Sequence, residues 1–225
     1  MKKTILLSSI FAAGAVLAAT DVDSSVIGTL PVTVVKDQQL MAVPFADADG
    51  EISVNDMVKT SDLTEGDKLY VANGNGYDMW KLEGGQWKSA NKVTIKADGS
   101  VDEGVSLSAE NAKVKRGDAF WLETANGGNV MLLGGRSGVD PSVAVAGKWN
   151  LIGNPGIEDK TLAATGFVNG DKVSILQENG YLKTWTFKTS QNGWWVRGSD
   201  ARTITVPAGK GIWFYANGSE DRQVW

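Results

Sequence analysis

The stretch Gly170-Asp171-Lys172-Val173-Ser174-Ile175-Leu176-Gln177-Glu178-Asn179-Gly180-Tyr181-Leu182-Lys183-Thr184-Trp185-Thr186-Phe187-Lys188 decides the fold class. Residues 173–177 and 183–188 alternate with period two, the repeat of a strand whose successive side chains point to opposite faces. Between them Asn179-Gly180 supplies the residue types that accept the positive φ of a tight hairpin. The same punctuation recurs at Asn75-Gly76, Gly84-Gly85 and Asn192-Gly193. The chain therefore reads as Gly-punctuated hairpin meanders.

Working outward from this hairpin, three blocks occur twice in the same order. Leu40-Met41-Ala42-Val43-Pro44 aligns with Leu151-Ile152-Gly153-Asn154-Pro155 at an offset of 111, which also carries Val32 and Val34 onto Val143 and Val145. Gly66-Asp67-Lys68 and Tyr77 align with Gly170-Asp171-Lys172 and Tyr181 at 104. Gly117-Asp118-Ala119-Phe120-Trp121 aligns with Gly209-Lys210-Gly211-Ile212-Trp213 at 92. The shrinking offset places seven extra residues between Pro44 and Gly66 and twelve between Tyr77 and Trp121 of the first copy. The second insertion is expected in residues 91–111, where Val93-Thr94-Ile95-Lys96 meets the hairpin signal Asp98-Gly99.

Two short stretches read as helix: residues 53–60, with Ser53 and Asp56 resembling a capping pair, and residues 159–164. The expected architecture is all-β with one or two short helices. It consists of two tandem, diverged small β-sandwich or barrel-like modules, residues 26–136 and 137–225.

Residues 1–18 read as an address. Met1-Lys2-Lys3 is a positive n-region, the apolar run that follows is shorter than the roughly 20 residues a spanning helix needs, and Val16-Leu17-Ala18 offers small residues to a signal peptidase. Cleavage after Ala18 leaves a short leader, residues 19–25, and a chain without a transmembrane segment. The implied destination is the periplasm, the cell surface or the extracellular space. With no Cys there is neither a lipid-attachment site nor a disulfide.

Apolar content of 42% and charge of 21% are those of a folded chain. The absence of both His and Cys excludes Ser-His-Asp and Cys-His triads and His/Cys zinc sites. Loss of Lys2 and Lys3 leaves 20 basic against 26 acidic residues, a balance of −6 that disfavours nucleic acid as a partner. No cofactor, metal site or catalytic constellation is indicated, and an unknown protein or glycan is the expected partner.

Several of these stretches, taken together, resemble a known group of sequences. They are Val26-Ile27-Gly28 with Val32-Thr33-Val34, Met41-Ala42-Val43-Pro44-Phe45, Trp149-Asn150-Leu151-Ile152-Gly153-Asn154-Pro155, Gly193-Trp194-Trp195, and Gly209-Lys210-Gly211-Ile212-Trp213-Phe214. The chain resembles uncharacterised secreted tandem β-module proteins of the planctomycete and verrucomicrobial type. The resemblance covers nearly all of the chain after the signal peptide, and its motifs are turn and core residues that imply a fold more than an activity. Some members carry a C-terminal sorting tail, whereas this sequence stops at Trp225.

The nine Trp all lie from Trp80 onward. Burying one removes about 150–250 Å² from water, worth up to roughly 4–6 kcal/mol, so core duty is the first expectation. Aligning the copies pairs Trp80 with Trp185, Trp87 with Trp195 and Trp121 with Trp213, and these six are assigned to packing. Aromatics facing a polar residue in the other copy are Trp194 against Gln86, Tyr215 against Glu123, and Trp149 against Gln38. Adjacent strand residues point opposite ways, so with Trp195 inside, Trp194 is the first candidate for an exposed platform for a ligand such as a sugar, with burial between the two modules the equal alternative, and Tyr215 is the second candidate. Trp149, part of the opening of copy two that carries the family resemblance, ranks below both.

Other motifs read as architecture. Arg116-Gly117-Asp118 spells an adhesion tripeptide but sits where the second copy has Ala208-Gly209-Lys210, so a turn accounts for it. Asp47-Ala48-Asp49-Gly50-Glu51 lacks the spacing of a calcium loop and reads as a surface turn. Asp67 and Asp171, the one carboxylate pair common to both copies, each follow Gly at a strand entrance, where a carboxylate serves the turn. A glycosidase needs only two carboxylates, but no spacing selects two of the 26 available. A C-terminal Trp also resembles outer-membrane barrels, whose strands are longer than these. The expected function is that of an exported, non-catalytic structural or interaction protein; the alternative is a carbohydrate-binding protein using exposed aromatics of the second module.

Overall fold

The computed structural model describes residues 27–225 apart from 75, 97–99, 108–111, 136–137, 139–140, 163–165 and 198–202. The signal peptide and leader expected at residues 1–25 lie outside the described residues, as does the turn at Asp98-Gly99. The protein is all-β, with its sheets gathered into two sandwich-like groups that do not close into a barrel.

The first group contains the sheet β2 (Asp37–Ala42), β10 (Ala119–Thr124), β4 (Lys68–Ala72), β5 (Gly76–Glu83), β7 (Asn91–Ile95) and β8 (Val101–Leu107), in that spatial order. β6 (Gln86–Ser89) also pairs with β5. Two ribbons complete it: β1 (Ile27–Val34) with β11 (Gly128–Gly135), and β3 (Glu51–Ser53) with β9 (Lys113–Lys115). The second group has the sheet β12 (Trp149–Gly153), β18 (Gly211–Tyr215), β14 (Lys172–Leu176), β15 (Leu182–Lys188) and β16 (Gly193–Trp195). Its ribbon is β13 (Lys160–Leu162) with β17 (Ile204–Val206). The path β12-β18-β14-β15-β16 has the connectivity of β2-β10-β4-β5-β6, and the β7–β8 hairpin is the part of the first sheet without a counterpart.

Alternation along each strand separates a core face from an outer face. Leu69, Trp80, Leu82, Trp87, Phe120 and Leu122 belong to the first core, and Val173, Trp185, Phe187, Ile212 and Phe214 to the second. Register matches across the groups: Leu69 pairs with Trp80 and Val173 with Trp185. The β14–β15 hairpin closes with Gln177 and Tyr181 joined by a backbone bond of 2.9 Å, and Gly180 takes the left-handed conformation at φ 80° that the turn demands.

Among the described residues neither predicted helix forms. Residues 53–57 make a single turn in which the Ser53 carbonyl accepts from Asp56 and Met57, followed by a 3₁₀ turn at Thr60–Asp62. The second stretch contains β13, whose Thr161 pairs with Thr205 of β17, so cross-strand pairing overrides a weak local preference.

The two groups meet back to back through backbone. Met41 of β2 bridges Lys210, which leads into β18; Ile152 of β12 bridges Asp118, which leads into β10. Ala42 N–H donates to Gly209 O at 2.9 Å, and Gly153 N–H donates to Gly117 O at 2.8 Å. Each group thus offers its first strand and the approach to its second strand to the same parts of the other, an isologous contact in the sense used for two-fold dimers. The approach is close because glycines line it: a Cβ on Gly153 would lie 2.7 Å from Ala42 Cβ, and one on Gly211 2.6 Å from Ala119 Cβ.

Candidate functional site

Trp194 does not form an exposed platform. It is 2% exposed and sits among Phe167, Phe187 and Phe214, with ring centroids 4.9, 5.3 and 6.5 Å away. The reason is a loop length. The Gly84-Gly85 turn holds two residues between the paired Glu83 and Gln86, while 3₁₀ turn Thr189–Gln191 and Asn192 put four between the paired Lys188 and Gly193. Trp87 faces Leu82 across its hairpin and Trp194 faces Phe187, so Trp194, not Trp195, matches Trp87. Trp195 is the half-buried one, with Lys188 Nζ 3.8 Å above its ring.

Tyr215 is half-buried on the outer face of the second sheet, where Trp149 pairs with it in register and lies 5.6 Å away at 54°. Lys172 Nζ sits 5.6 Å from the Tyr215 ring on the other side. Trp149 is 42% exposed. Leu151, paired with Trp213, continues the same face. At the corresponding register of the first sheet stand Gln38 and Glu123, and there Glu123 accepts from Lys68 Nζ at 2.9 Å and Tyr70 Oη at 2.8 Å. Those hydrogen bonds hold the Glu123 carboxyl below its ordinary value against the opposing effect of burial, which acts to raise it.

Two clefts flank the seam. The first, about 470 Å³, runs between the β4–β5 hairpin and the outer face of β12 and β18; Tyr77, Trp149, Trp213 and Lys148 line it. The second, about 710 Å³, lies between the β14–β15 hairpin and β2 with β10, lined by Trp121, Glu123, Glu178 and Lys36 among others. Each cleft therefore pairs the hairpin of one group with the first two strands of the other. The Trp121 side chain hydrogen-bonds the Tyr77 side chain; burial raises the Tyr77 hydroxyl above its ordinary value and that bond partly opposes it.

The remaining sequence candidates are structural. Asp67 accepts Thr64 N–H and Ala125 N–H, both at 2.9 Å. Asp171 accepts Val168 N–H at 2.8 Å and Asn217 N–H at 2.7 Å. The Arg-Gly-Asp tripeptide is held in the seam: Arg116 donates to Pro155 O, and Asp118 accepts from Ser142 Oγ and Lys115 N–H. Burial pushes the Asp118 carboxyl up. Asp49 pairs with Lys113 at 3.0 Å in the turn after Phe45. Among the described residues no group of three or more acidic side chains is placed to hold a metal ion.

Lys210, also at the seam, donates to Thr33 O at 2.8 Å and Gln39 Oε1 at 2.6 Å, in a smaller cleft of about 350 Å³ that Glu178 also lines. Burial pushes its ammonium down to about 8. In the unfolded chain Lys keeps its ordinary value near 10.5, so between those values the unfolded state binds more protons and stability rises with pH. Discounted for partial exposure, the gain is about 1–2 kcal/mol. Urea midpoints from pH 7.5 to pH 10 should climb more for the natural chain than for Lys210→Met; an equal or opposite trend refutes the assignment.

Comparison with protein-family models, curated proteins and solved structures finds no match for this chain.

Proposed function

We propose that the chain is an exported, non-catalytic interaction protein built from a duplicated β-module of the tandem secreted kind it resembles. One observation carries the reading: the seam is isologous, so two equivalent modules are locked back to back with a cleft on either flank. Backbone-to-backbone bonds at glycine positions suit a rigid presenting surface, which lowers the ordering cost of binding. The carboxylates common to both modules, Asp67 and Asp171, are occupied by turn hydrogen bonds rather than aimed at a cleft. The envelope or extracellular address rests on residues 1–18.

The test is turnover. Mature protein incubated with polysaccharide and peptide substrates should release no products, and chain exported by a bacterial host should begin at Ala19. Hydrolysis abolished by Asp37→Asn, Glu123→Gln or Glu178→Gln, the acidic residues lining the larger cleft, would overturn the proposal in favour of a hydrolase.

A further inference from the structure

The clefts share a frame but not a chemistry. Where the first module has Gln38 and Glu123 in register, the second has Trp149 and Tyr215. The fold accepts a polar pair at these positions, so core packing does not demand aromatics there. Trp149 nonetheless leaves 42% of its surface in water. Its ring packs against Tyr215, which fixes the indole at small entropic cost. Tyr77 approaches the same cleft from the opposite hairpin, its side chain hydrogen-bonded to that of Trp121.

We propose that this cleft is a binding site for a pyranose unit of a neutral glycan, with Trp149 as the stacking platform. Resting on the reading of the chain as an interaction protein, the assignment supplies the class of partner. A pyranose ring has an apolar face of C–H groups and a rim of hydroxyls. The cleft offers aromatic rings for the face, and for the rim the Lys148 ammonium and the main chain of Gly74 and Gly76. Its volume of about 470 Å³ falls in the range of small-ligand sites, about 300–1,000 Å³. Among the described residues Lys148 has no ion-pair partner, and Asp118, the only carboxylate lining the cleft, is engaged by Ser142 and Lys115. The site thus lacks the several cations a polyanion requires, which favours an uncharged ligand.

Cellohexaose, xylohexaose, mannohexaose and chitohexaose are titrated into the full mature protein and followed by calorimetry and Trp fluorescence, with hexaproline as a flat non-sugar control. At least one hexasaccharide is expected to bind saturably. Trp149→Ala should weaken it by about tenfold or more, Trp149→Phe by less, and Gln38→Ala not at all. Unchanged unfolding midpoints establish that the variants keep the fold. Absence of binding by all four sugars at millimolar concentration, binding indifferent to Trp149→Ala, or binding of hexaproline alone overturns the assignment. Those failures leave the interaction reading standing, whereas cleavage of a hexasaccharide defeats that reading itself.

Discussion

Asp171→Ala lowers the unfolding free energy by about 3–5 kcal/mol, the usual cost of removing one partner of a buried charged pair. The carboxylate is fully buried, accepts two backbone N–H groups and lies 3.7 Å from Nε of Arg222, itself 8% exposed. Truncation leaves both N–H groups without acceptors and the guanidinium without its buried counter-charge. Asp67→Ala breaks the matching turn, but no cation is paired with Asp67 among the salt bridges of the described residues, so a smaller loss of about 2–3 kcal/mol is expected. Urea unfolding of the two variants measures the difference. Equal losses would show that Arg222 contributes nothing through Asp171.

Trp194→Ala should cost about 3–5 kcal/mol, the range for emptying an aromatic site in a core. Phe167, Phe187 and Phe214 surround the indole edge-on, and relaxation that closes the cavity must move all three. Trp194→Phe is far milder, about 1–2 kcal/mol, because the buried indole N–H has no acceptor among the described residues and its removal offsets part of the lost volume. Against a total stability of roughly 5–15 kcal/mol for a domain, the Ala variant is visibly destabilised in urea and the Phe variant only shifted. A loss below about 1 kcal/mol for Trp194→Ala would mean that the indole is not in the core.

How much could be read in advance varies from residue to residue. The Asn179-Gly180 hairpin and the turn role of Asp67 and Asp171 were legible because each rests on a bond to a neighbour a few positions away, Thr64 for Asp67 and Val168 for Asp171; their second bonds, from Ala125 and Asn217, come from far along the chain and were not. The helices expected at residues 53–60 and 159–164 failed for the complementary reason: Thr161 finds a partner 44 positions away, and that pairing outweighs local preference. Trp194 was misassigned because two adjacent Trp residues follow a loop of uncertain length. A one-position slip in register exchanges inside for outside, and the loop is four residues where the alignment implied five.

Period-two alternation, Gly punctuation and the recurring blocks determined by themselves that this protein is all-β, since strand direction and turn geometry are set by local sterics. The tertiary structure alone decided which aromatics meet solvent and what lies between the two sheet groups. The seam joins Ala42 to Gly209 and Gly153 to Gly117 through main-chain atoms, which every residue possesses and no sequence pattern advertises. Its glycines contribute by lacking a side chain. The cleft beside it sets Tyr77 of β5 against Trp149 and Trp213 of the paired strands β12 and β18, a meeting made only by that contact, so its chemistry exists in the folded chain and nowhere along the linear one.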